Sequence, residues 1–124
     1  MKIRLFGDSI RLRLNQAEVE SLAAGGAVEM VIPFPGEAFA CTVQPSGNSI
    51  EVRHSGGRLS ILIPQAQTTA WAASAEVGMY ADQQPSSGGA VLRVLIEKDY
   101  RCVHNPDAPD NAGTFPNPLA ASGE

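Results

Sequence analysis

The chain has 124 residues, 44% of them hydrophobic and 18% charged, with a formal net charge of −4. That size suits one domain around one core, and the negative balance argues against a general affinity for nucleic acid, so any anion site has to be local. Met1-Lys2-Ile3-Arg4-Leu5 alternates charged and apolar residues, which excludes a signal-peptide or membrane-spanning stretch there and implies a cytoplasmic protein with no membrane partner.

"KIRLFGDSIRLRL" alternates with period two on both sides of Gly7-Asp8, which predicts two paired strands over 2–6 and 9–14 joined by a type II′ turn. Asn15 with Glu18 three positions on has the form of a capping box, and Val19, Leu22 and Ala23 give the following segment one apolar side before Gly25-Gly26 ends it. An amphipathic helix over about 15–25 follows.

Four β-like runs come next, "AVEMVIPF", "AFACTVQP", "SIEVRH" and "RLSILIP", separated by Pro-Gly, Ser-Gly-Asn and Ser-Gly-Gly; an antiparallel meander is the economical reading. Pro64 to Ser74 reads as a second short helical segment. "EVGMYADQ" and "AVLRVLIEKDYR" form a last hairpin around "QPSSGG". From Asn105 onward prolines and aspartates cannot sustain a ladder, leaving an irregular C-terminal tail pinned by Phe115. The fold class is therefore α+β, a mostly antiparallel twisted sheet or open barrel, with residues 1–104 as a single domain and 105–124 as a Pro/Asp-rich tail that is not a separate domain. No internal repeat is evident. The expected core is Ile3, Leu5, Ile10, Leu12, Leu14, Val52, Leu59, Ile61, Leu92, Val94 and Ile96, all in the apolar phase of their strands.

The opposite phase holds seven of the nine basic residues: Lys2, Arg4, Arg11, Arg13, Arg53, Arg58 and Arg93, against the acids Glu51, Glu97 and Asp99. A two-residue turn sets Arg4 across from Arg11 and Lys2 across from Arg13, and like charges directly opposite cost roughly 0.2–1 kcal/mol per pair. Neighbouring carboxylates or a bound phosphate-type small molecule would offset that cost. The seven cations are thus the candidate anion site, and the competing reading is a solvated face whose acids serve as counter-charges.

Other chemistry is thinner. Cys102, His104, Asp107 and Asp110 are donors that zinc accepts, but their spacing matches no structural zinc module. No third residue is evident to orient a Cys102–His104 pair, His54 included. Cys41 and Cys102 read as free thiols. Phosphate-loop, dinucleotide, nucleophile-elbow and zinc-protease motifs are absent, and no cofactor is implied. Arginines inside a curled sheet would resemble the triphosphate-tunnel proteins in style, yet the early strand here lacks their glutamate-alternating pattern. These features favour a small non-catalytic binding or accessory protein, with a polyphosphate-handling enzyme as the alternative and a metal protein third.

"MKIRLFGDSIRLRLNQAEV" at the start and "LIEKDYRCVHNPDAPDNAGTFPNP" near the end resemble a family of short uncharacterised bacterial proteins. The resemblance implies a stand-alone single-domain protein and carries no activity, cofactor or catalytic residue with it.

Overall fold

Gly7 has φ of +55° while Asp8 keeps a negative φ, the backbone pattern of a type II′ turn. It folds β1 (Lys2–Phe6) onto β2 (Ser9–Leu14) in the expected register. The computed structural model describes residues 1–85, 88–101 and 111–117. After the hairpin, the Asn15 side chain accepts from the Glu18 N–H, and the Glu18 carboxylate accepts from the Asn15 N–H. Two otherwise orphaned donors are thereby satisfied. They start α1 (Gln16–Ala23), which buries Val19 and Leu22.

The chain continues through β3 (Val28–Ile32), β4 (Phe39–Pro45), β5 (Glu51–Ser55), β6 (Arg58–Ile63), α2 (Gln65–Ala72), β7 (Gly78–Gln83) and β8 (Leu92–Lys98). The class is α+β, as expected. Among the described residues the strands form two four-stranded sheets, β1-β2-β8-β7 (sheet A) and β3-β4-β6-β5 (sheet B), in place of one, and no closed barrel. Each has an antiparallel hairpin on either side and a parallel pair at its centre, β2 with β8 and β4 with β6. Turn chemistry reports only hairpins between neighbours in sequence. Parallel pairing joins strands far apart in the chain, and no local signal announces it.

The chain also folds as two copies of one ββαββ unit, a repeat not evident from the residues. β1, β2 and α1 start at positions 2, 9 and 16, and β5, β6 and α2 at positions 51, 58 and 65, each 49 further on. The links match as well. Arg93 N–H donates to Asp8 C=O as Ala40 N–H does to Gly57 C=O, and Asp99 N–H donates to Leu14 C=O as Ser46 N–H does to Ile63 C=O. The units exchange hairpins, so each sheet takes one hairpin from either half of the chain. The repeat is masked because the exposed positions have diverged while the buried ones kept only their apolar character.

One cluster of apolar side chains fills the space between the sheets and helices. Leu12, Leu14, Leu22, Cys41, Val43, Ile61, Ile63 and Ile96 are fully buried at its centre, with Val94 1% exposed. Ile3, Val52 and Leu92 pack against it. Leu5 is the exception to the expected core: it is 63% exposed, standing at the turn end of an edge strand where no opposing side chain covers it. Cys41 is a free thiol that burial pushes up to about 11, which makes it inert.

Beyond β8, Phe115 packs against the core and tilts onto Tyr100, with ring centroids 5.8 Å apart. Its N–H donates to Asp99 C=O, and its C=O accepts from Arg101 N–H. Phe115 thus pins the segment 111–117, as expected. Among the described residues no helix is long and apolar enough to cross a membrane.

Candidate functional site

The structure divides the seven candidate cations. Lys2, Arg4, Arg11, Arg13 and Arg93 lie on the face of sheet A turned away from the core, while Arg53 and Arg58 belong to sheet B. They do not form one face, because the two groups stand on separate four-stranded sheets. Nor do they line a tunnel, since neither sheet closes.

Sheet B is internally neutralised. Arg58 donates to Glu29 at 2.7 Å and to Thr42 at 2.6 Å, and Arg53 donates to Glu51 at 3.0 Å. The hydrogen bonds from Arg58 and Thr42, with the Arg58 charge, hold the Glu29 carboxyl below its usual range. This is the solvated face with counter-charges.

On sheet A the cross-strand register sets three rows: Phe6, Ser9, Arg93 and Asp82; Arg4, Arg11, Leu95 and Tyr80; Lys2, Arg13, Glu97 and Gly78. Two acids are already engaged. Glu97, only 7% exposed, accepts from Arg11 Nε and, at 3.1 Å, from the Tyr80 hydroxyl. Asp99 pairs with Lys2 at 2.6 Å. Arg11 therefore has the carboxylate that its own hairpin lacks, delivered by β8. The side chains of Arg13 and Arg93 make no hydrogen bond or ion pair with the described residues, and the Arg4 guanidinium lies 5.4 Å from the Phe6 ring centroid. A hollow of about 110 Å³, the size class of a phosphate group, lies between Lys2, Ile3, Arg4, Arg11 and Arg13.

The repeat makes this face its own control. Where sheet A has Arg11 and Arg13, the equivalent positions of sheet B, 49 further on, hold Ser60 and the buried Leu62. The fold does not require those arginines.

Tyr80 carries no signal in the sequence beyond its place in a strand. Gly78 explains how it is held. A Cβ on Gly78 would lie 2.7 Å from Ile96 O, 2.8 Å from Glu97 Cγ and 3.0 Å from the Tyr80 hydroxyl. The Glu97 stem and the Tyr80 ring therefore both recline over the glycine. Partial burial, then the bond to Glu97, pushes the Tyr80 hydroxyl above its usual range.

A larger cleft of about 790 Å³ opens between the edges of β5 and β7, lined by Ser49, Glu51, Arg53, Gln67, Tyr80 and Asp82 among others. Its guanidinium is paired to Glu51 and Asp82 adds negative charge, so it does not favour an anion. Cys102, His104, Asp107 and Asp110 lie outside the described residues; among those described, no group of three or more His, Cys, Asp or Glu side chains could hold a metal. His54 is exposed on β5.

Lys98 occupies the inner face of β8 and is 5% exposed. Its ammonium donates to Ser74 C=O at 2.6 Å, beside the C-terminus of α2, and sits 5.7 Å and 5.8 Å from the Trp71 and Phe115 ring centroids. The position equivalent to Lys98 is Pro45, which pairs with Ile63 as Lys98 does with Leu14, so this half of the repeat alone carries a cation there. Burial lowers the Lys98 pKa from 10.5, partly offset by the charge of Glu76. Between the lowered folded value and the unfolded value near 10.5, the unfolded chain binds more protons, so stability rises with pH across that window. The parent is expected to gain stability relative to Lys98→Met as pH rises from about 7 toward the ordinary lysine value. Urea unfolding curves for both proteins across that range check this, and a constant difference would refute it.

No curated protein and no solved structure matches the chain. A family model does, over residues 1–119. The chain belongs to that family, described as a family of unknown function, DUF7009.

Proposed function

We propose that the protein is a small non-catalytic binding protein whose sheet A face takes a phosphate-type anion in the hollow between β1 and β2. One observation carries this reading: Arg4 and Arg13 line that hollow with no ion pair to any described residue, whereas both arginines of sheet B are zipped to acids. Holding like charges across a hairpin costs stability, and an anion bridging Arg4 and Arg13 would recover it. The open sheet presents these cations to solvent, where charge attracts the ligand without enclosing it.

The test is thermal unfolding with tripolyphosphate at moderate salt. A ligand that binds only the folded state, present at about 100 times its Kd, stabilises by about 2.7 kcal/mol. The parent should be stabilised, Arg4→Gln and Arg13→Gln should lose most of the effect, and Arg53→Gln on sheet B should keep it. Absence of any shift in the parent would end this reading, as would an equal loss in Arg53→Gln.

A further inference from the structure

We infer that the ligand of the sheet A face is a nucleotide, with its phosphates at the arginine hollow and its base stacked on Tyr80. This rests on the anion reading and adds a second ligand group to it. The face combines two features that a phosphate alone would not use. Tyr80 is 56% exposed although its hydroxyl is tied down to Glu97. Its ring reclines along β7 over Gly78, because a Cβ at position 78 would meet both the hydroxyl and Glu97. A tethered hydroxyl with an exposed ring body is a stacking surface that is already ordered, so little side-chain entropy remains to be lost when a base lies on it.

The same carboxylate links the two ends of the site. Glu97 accepts from Tyr80 through one oxygen and from Arg11 through the other, and Arg11 borders the hollow. Glu97 and Arg11 are therefore positioning residues that set the ring and the cationic hollow at a fixed separation. Tyr80 and Arg11 share one row of the sheet with Leu95 between them, so two strand spacings, about 10 Å, separate them. An extended nucleoside triphosphate spans that interval, its sugar lying over the half-buried Leu95. Base stacking on an aromatic side chain tolerates any base, since each offers a π-face, so no preference among bases is expected from this contact.

The net charge of −4 still opposes long polyanions. Few uncompensated arginines and one hollow suit a small nucleotide better than a polymer.

Isothermal titration calorimetry with ATP, UTP, tripolyphosphate and an eight-nucleotide single-stranded DNA tests the assignment. ATP and UTP are expected to bind about 10-fold or more tightly than tripolyphosphate. Tyr80→Ala should bring ATP down to the tripolyphosphate affinity while leaving tripolyphosphate unchanged, and Tyr80→Phe should keep most of the advantage because the ring remains. Circular dichroism of both variants should match the parent, since the ring is exposed.

If tripolyphosphate binds and ATP binds no better, the nucleotide assignment fails while the anion reading stands. If neither binds, both fail. Tighter binding of the oligonucleotide than of ATP would overturn the assignment in favour of a polymer, and an equal ATP advantage in parent and Tyr80→Ala would remove Tyr80 from the site.

Discussion

Leu12→Ala and Ile61→Ala are each expected to lower the unfolding free energy by about 2–5 kcal/mol, measured by urea denaturation at neutral pH. Both side chains are fully buried. They occupy equivalent positions of the repeat on β2 and β6, the strands that join each hairpin to its parallel partner. Leu12 pairs with Ile96 and Ile61 with Val43, all four fully buried. Truncation removes apolar transfer energy and leaves a cavity that this ring of neighbours cannot easily close. Leu5→Ala is the contrast: at 63% exposure it should change stability by about 0.5 kcal/mol or less. A cost below about 1 kcal/mol at Ile61 alongside a large one at Leu12 would show that the two halves do not share one cooperative core.

The second large effect belongs to Arg11. Arg11→Gln is expected to cost about 1–3 kcal/mol, because among the described residues the nearly buried Glu97 keeps only the Tyr80 hydroxyl as a side-chain partner. Solvent reaches the arginine, whose side chain is 34% exposed, which places the value toward the lower end. A double-mutant cycle with Glu97→Gln, read by urea unfolding, isolates the pair. The double variant should be less destabilised than the two single costs added together. Arg13→Gln should stay within about 0.5 kcal/mol of the parent. If Arg11→Gln is equally silent, the carboxylate is held by something other than that guanidinium.

Arg11 and Arg13 bear differently on function. The Arg11 effect is present without any ligand, so it measures how the face is assembled. The Arg13 effect appears only when an anion is added, so it measures what the face does.

What the amino-acid order determined by itself is local. The Gly7-Asp8 turn, the Asn15–Glu18 cap, both helices and the eight strands follow from φ preferences, capping hydrogen bonds and side-chain period, which act within a few residues. The turn alone set Arg4 opposite Arg11. Tertiary structure decided everything that depends on partners distant in sequence. It split the strands into two sheets by parallel pairing and exposed Leu5 at an edge. It divided the cations into a zipped face and an open one, and laid Glu97 and Tyr80 over Gly78. The repeat stayed hidden for the same reason: packing constrains which positions are apolar and leaves the identity of their side chains free, so two halves with one architecture share few residues. Whether a charge is paired or available is likewise set by the strand that arrives alongside it. For Arg11 that strand is β8, whose Glu97 stands 86 positions further along the chain, and for Arg13 no described residue completes the pair.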